Sequence, residues 1–147
     1  MKLHRVDIRV FCKPEDNIEE VEKGLLSLIP FDLDKEKIKL NKRNTAGFRE
    51  RKIIILDVKL EKQRHVNLFL EKLGESLSEE QRDMIKSQAE SRLDEDMLFY
   101  LRFDKKRFLE DKVLWLTDKG DCYHVKLSVA AFPKTRENAL RCVKSLF

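Results

Sequence analysis

Four segments of this chain repeat apolar residues with a period of two, and that period constrains the fold more than any other feature. Val6, Ile8, Val10 and Cys12 alternate with Arg5, Asp7, Arg9 and Phe11, and Ile54, Leu56, Val58 and Leu60 alternate with Asp57 and Lys59. Met97, Phe99, Leu101 and Phe103 alternate with Leu98, Tyr100, Arg102 and Asp104, and Val125, Leu127 and Val129 with His124, Lys126 and Ser128. Successive side chains of a strand point to opposite faces, so each segment has one side to bury and one to leave wet. Ile53 and Ile55 blur the second segment. Either the sheet is covered on both faces at that end, or the two isoleucines belong to a subunit interface.

Helical spacing fills much of the rest. Asn17 with Glu20 has the form of a capping box ahead of Ile18, Val21, Leu25 and Leu28, a stripe that runs until Pro30. Val66, Phe69, Leu70 and Leu73 predict a helix that Gly74 can end. Ser78 with Gln81 can open another, running through Ile85 and Ala89 to about Leu93. Lys105 to Glu110 fits a single helical turn, and Thr135 can cap a last helix carrying Ala139, Leu140, Val143, Leu146 and Phe147 on one stripe. Between Asp32 and Lys52 the pattern is weak. Ile38 and Leu40 predict a short strand and residues 41–47 (NKRNTAG) a basic, mobile loop. Val113 to Thr117, the turn at Asp118 to Asp121 and the segment from Cys122 to Ala131 predict a hairpin. The expected architecture is α+β: an antiparallel sheet of five or six strands with helices packed on one face.

At 147 residues the simplest organisation is one domain spanning 1–147, large enough to bury a core without disulfides or metal. Charged residues are 39% of the chain against four Gly and three Pro, a composition of compact, solvated elements rather than disorder. No apolar run is long enough to span a bilayer and the N-terminus enters a strand pattern directly, so a cytoplasmic protein without membrane contact is expected. Cys12, Cys122 and Cys142 lack the spacing of a disulfide framework or a zinc site, and reduced thiols are expected.

The net charge of +4 is unevenly spread. Residues 35–52 hold eight cations against Glu36 and Glu50, whereas residues 71–96 hold nine acids against four cations. Such polarity suits a protein that turns one side to a polyanion, although charge alone fits a salt-bridged surface equally well. Strand parity sharpens the reading. With helices behind the sheet, Arg5, Arg9, Lys59, Tyr100, Arg102, His124, Lys126 and Ser128 fall on the open side, opposite the clearest apolar rows. A cationic platform with Phe11 and Tyr100 as its aromatics suits RNA, since phosphates seek Lys and Arg and unstacked bases lie on ring or guanidinium planes. A solvated sheet face or a dimer contact is the bland alternative. The loop with Lys42, Arg43, Arg49 and Arg51 is a second candidate grip on a sugar-phosphate backbone.

Signals for catalysis are thin. His4, His65 and His124 have no nucleophile at a recognisable spacing, and Cys122 with His124 lacks a third ligand or an orienting carboxylate. Asp94, Glu95 and Asp96 could hold a divalent metal, but acidic caps and turns are common where a helix gives way to a strand. No P-loop, GxGxxG or HExxH occurs. The expectation is a protein that is not an enzyme and carries no cofactor.

Three stretches resemble a family of small archaeal proteins described as predicted RNA-binding proteins and linked to the RNA-degrading exosome. They are the run from Phe11 to Asp16 (FCKPED), the run from Leu101 to Lys105 (LRFDK) and the run from Ala130 to Glu137 (AAFPKTRE). The resemblance implies a fold similar to a large-subunit ribosomal protein, a role in RNA binding and exosome subunits as further partners. On the matching positions it points to Arg102, Asp104, Lys105 and Arg136, with Asp104 fixing a turn through backbone hydrogen bonds. The combined reading is RNA recognition by backbone and shape, with a protein-interaction or homodimerisation module as the alternative.

Overall fold

A computed structural model describes residues 2–46 and 52–147. Five antiparallel strands lie in the order β2-β3-β1-β5-β4: β1 (Leu3–Cys12), β2 (Asn41–Ala46), β3 (Lys52–Leu60), β4 (Leu98–Asp104) and β5 (Cys122–Val129). The helices among the described residues are α1 (Ile18–Ser27), α2 (Gln63–Ser76), α3 (Glu79–Ser87), α4 (Ala89–Arg92), α5 (Lys105–Asp111) and α6 (Arg136–Leu146). This is the expected α+β arrangement.

One hydrophobic cluster holds it together. β1, β3, β4 and β5 enter it from a single face, with Val6, Ile8, Val10, Leu56, Val58, Leu60, Phe99, Leu101, Phe103, Val125 and Leu127 all buried. The helices supply the other half through Val21, Leu25, Val66, Phe69, Leu73, Ile85, Phe108, Ala139 and Val143. Tyr123 ties the two layers: its ring meets Phe108 edge-on at 5.3 Å and its hydroxyl donates to the Val21 carbonyl of α1 at 2.8 Å. A methyl group at Gly24 would overlap that hydroxyl and the Leu109 side chain, so α1 can lie this close only with glycine there.

The caps form as their residues suggest. The Asn17 side chain accepts from the Glu19 and Glu20 N–H groups, Ser78 accepts from Gln81 and Thr135 from Asn138. Gln81 does not reach back to complete a capping box. Its buried side-chain oxygen instead accepts from the Leu116 N–H at 2.8 Å.

Five local expectations are corrected. Residues 41–46 are not a loop but the edge strand β2, paired with β3 from Asn41↔Asp57 to Ala46↔Lys52, whereas Ile38 and Leu40 lie outside any strand. Gly74 does not end its helix; α2 runs on to Ser76, because burying Leu73 and Leu77 outweighs the roughly 1 kcal/mol that an internal glycine costs. The helix from Ser78 breaks at Gln88, whose side-chain oxygen accepts from both Nε and Nη2 of the buried Arg92. Finally, residues 113–117 form no hairpin with β5. β4 occupies that edge of β5, and Leu116 bridges Phe103 on the outer side of β4. The sheet therefore has five strands.

Candidate nucleic-acid interface

The pairing register converts strand parity into a surface. One row crosses all five strands through Asn41, Asp57, Arg9, His124 and Arg102. The next row runs through Lys59, Asp7, Lys126 and Tyr100. Arg5 and Ser128 lie beyond it, and Arg43, Ile55 and Phe11 lie on the other side of the first row. These residues face away from the helix-backed core, to which the strands contribute their opposite parity, joined by Leu3 beyond a register shift in β1. Arg5, Arg9, Lys59, Tyr100, Arg102 and Lys126 thus come together on one face.

The face is less uniformly basic than expected, because Asp7 and Asp57 stand among the cations. Arg5 donates through Nε to Asp7 at 2.9 Å, and that hydrogen bond raises its pKa. Asp57, 5% exposed, accepts from the Asn41 amide at 2.9 Å and has the Arg43 guanidinium at 3.8 Å. Among the described residues, no carboxylate lies within ion-pair distance of Arg9, Lys59, Arg102 or Lys126. These four are the cations left for a ligand.

His124 sits in the middle of them. Its ring leans on Tyr100 with centroids 5.5 Å apart. Burial, followed by Arg102, Arg9 and Lys126, pushes its pKa down to about 4, so it is uncharged at neutral pH. Two hollows flank the row. One, of about 310 Å³, is lined by Arg9, Phe11, Arg102, Gly120, Cys122 and His124 among others; the second, of about 270 Å³, lies between Arg9, Asp57, Lys59, Tyr100 and Lys126.

Several sequence candidates are taken up by contacts within the protein or lie off this face. Lys42 is on the helix side of β2 and pairs with Glu22 of α1 at 2.9 Å. Lys105 is 5% exposed; its ammonium donates to the Phe11 carbonyl at 2.5 Å and to Asp16 at 3.1 Å, so it braces β1 against the start of α5. Arg136 donates to the carbonyls of Leu93 and Glu90 and closes the end of α4. Arg49 and Arg51 fall outside the described residues. Asp104 accepts from the Arg107 N–H and caps α5, the turn-fixing part expected of it.

The acidic run is a turn. Asp94 accepts from the Asp96 and Leu98 N–H groups through Oδ1 and from the Tyr100 hydroxyl through Oδ2. Burial alone would raise its pKa, but those three hydrogen bonds outweigh it and hold the carboxyl below its ordinary range. Among the described residues no group of three His, Cys, Asp or Glu side chains is placed to hold a metal.

Sequence reasoning missed Asp7 and Asp57 as members of the face, though their parity already placed them there. It also missed Asn41, whose signal was hidden inside a segment read as a loop.

A family model described as RNA binding matches residues 5–129. An RNA-binding protein of Pyrococcus abyssi is 29% identical over 144 residues, which cover 98% of this chain and 93% of that protein. A protein from Archaeoglobus fulgidus assigned to DUF54 has a similar structure, with a TM-score of 0.87 at 26% identity, covering 99% of this chain and 100% of that one. A DUF54 protein from Methanothermobacter thermautotrophicus shares the fold with a TM-score of 0.79 at 24% identity, covering 99% and 98% of the two chains.

Proposed function

The chain belongs to this RNA-binding family, and from that membership we propose that it is a non-enzymatic protein that grips RNA by backbone and shape through the open face of its sheet. One observation carries the reading: Arg9, Lys59, Arg102 and Lys126 share the face opposite the helix-backed core, and among the described residues none of them has a carboxylate within ion-pair distance. Holding like charges together costs free energy that a polyanion returns. Arg5 and Arg43 border the patch at lower effective charge, since each has an aspartate beside it.

Binding to a structured RNA, measured at rising salt, tests this. Four phosphate contacts give a fall in affinity of roughly 50- to 150-fold between 50 and 200 mM salt. Charge reversal at Arg102 and Lys126 together should abolish it in a protein of unchanged mass and folding. Folded wild-type protein that binds no RNA at either salt concentration removes the proposal. Exosome subunits are the protein partners that the family resemblance suggests, and co-purification from cells with and without nuclease treatment tests that link. Incubating RNA with the protein and magnesium or manganese tests the absence of catalysis; chelator-sensitive cleavage would refute it.

A second reading has its own observation. Phe11, 48% exposed, lies beside Ile55, with Ile53 two residues further along β3, at the end of the same face. Such a patch fits pairing with another copy or another protein. Solution mass across concentration separates the two, because a dimer that buries this face leaves no platform for RNA.

A further inference from the structure

We propose that the row Arg9, His124 and Arg102, with the hollow beside Phe11, is a subsite for one ribonucleotide of an unpaired strand, its phosphate on the row and its base against Phe11. This rests on the RNA reading above and specifies where, and in what form, the RNA is held.

The register supplies the geometry. Arg9 and Arg102 stand directly on either side of His124 on three adjacent strands. Neighbouring strands are ~4.8 Å apart, so the two arginines start about 10 Å apart and both long side chains can close on one phosphate above the imidazole. Among the described residues neither has a carboxylate within ion-pair distance, although Asp57 stands opposite Arg9 in the register, whereas Arg5 and Arg43 on the same face are each paired with an aspartate. Burial first, and then the crowding cations, keep the ring between them neutral, and an anion on the row relieves the crowding of the cations.

The adjoining hollow of about 310 Å³ has a different character. Phe11, Gly120 and Cys122 give it apolar wall, and its two further charged members are already committed. Lys105 is held by the Phe11 carbonyl and Asp16, and Asp121 pairs with Lys13. The charges left uncommitted in the lining are those of Arg9 and Arg102 at the row itself, so the apolar wall away from them suits a base beside its own phosphate better than a second phosphate. The Lys105 hydrogen bond also fixes the backbone of Phe11, so the ring is presented from a held position. Only an unstacked base can reach such a wall, which restricts the subsite to single strands.

The test is equilibrium binding of fluorescent hexauridylate and hexaadenylate, with the corresponding duplex as competitor. Wild type is compared with Arg9→Gln, Arg102→Gln, Phe11→Ala and Phe11→Leu, and with Arg141→Gln on α6 as a control; thermal melting checks that each is folded. Arg9→Gln and Arg102→Gln should each weaken single-strand binding about tenfold and lower the salt slope by about one. Either Phe11 variant should weaken it about tenfold with the slope unchanged. The Arg141 variant should match wild type. Oligomers with a 5′-phosphate and with a 5′-hydroxyl distinguish the source: tighter binding of the phosphorylated end assigns the subsite to a terminal nucleotide, and equal binding to an internal one. If single strands bind the Arg9, Arg102 and Phe11 variants as they bind wild type, or if duplex competes as well as single strand, the subsite is wrong while the RNA reading survives. If folded wild type binds neither form at low salt, the RNA reading itself fails.

Discussion

His124 shows how a residue's neighbours set its chemistry. With its pKa held down to about 4, the folded chain refuses a proton that the unfolded chain accepts near 6.5. Stability attributable to this group is therefore full above about pH 6.5 and falls as the pH drops toward 4, below which both states are protonated. Discounted for partial exposure, the loss is on the order of 2 kcal/mol. Urea unfolding of wild type and His124→Gln across pH 4 to 7 should show the difference between the two narrowing at the acid end; a constant difference would refute the assignment. Gly24 is the second such residue. Gly24→Ala puts a methyl group into the Tyr123 hydroxyl and Leu109, and we expect a loss of about 1–3 kcal/mol with a lowered melting temperature. Neither constraint can be read from the residue's own identity, since each is made by side chains far away in the chain.

The elements divide by how much local information they carry. β1, β3, β4 and β5 are legible because a buried face imposes a period of two on their residues. β2 is not, because an edge strand whose described side chains add nothing to the buried cluster has no apolar period to show: Lys42 reaches α1, while Asn41 and Arg43 meet Asp57. That dependence makes a prediction at the same scale. Asp57→Ala should speed amide exchange across Asn41–Thr45 while leaving β1 and β5 protected; uniform exchange changes would mean that Asp57 supports the whole sheet instead. Helix starts were legible for the opposite reason, since a cap is a contact between residues two or three apart. Asn17→Ala should cost about 1 kcal/mol in chemical denaturation, the loss of the two N–H groups its side chain accepts from.

Over the whole molecule, the sequence by itself determined that a sheet would have one apolar and one largely basic face, because alternation is a local property of extended backbone. It could not determine what those charges are worth. Parity put Arg5, Asp7 and Arg9 on one side, but only strand order and register set Arg9 against Asp57 and His124, Asp7 against Lys59 and Lys126, and Arg102 beside His124. The same long-range placement turned Lys105 inward, set the exposed Arg136 onto carbonyl oxygens of α4 and its end, and put β4 where a hairpin strand was expected. A side chain's face follows from its neighbours in sequence; its charge environment follows from neighbours dozens of residues away, and only folding brings those together.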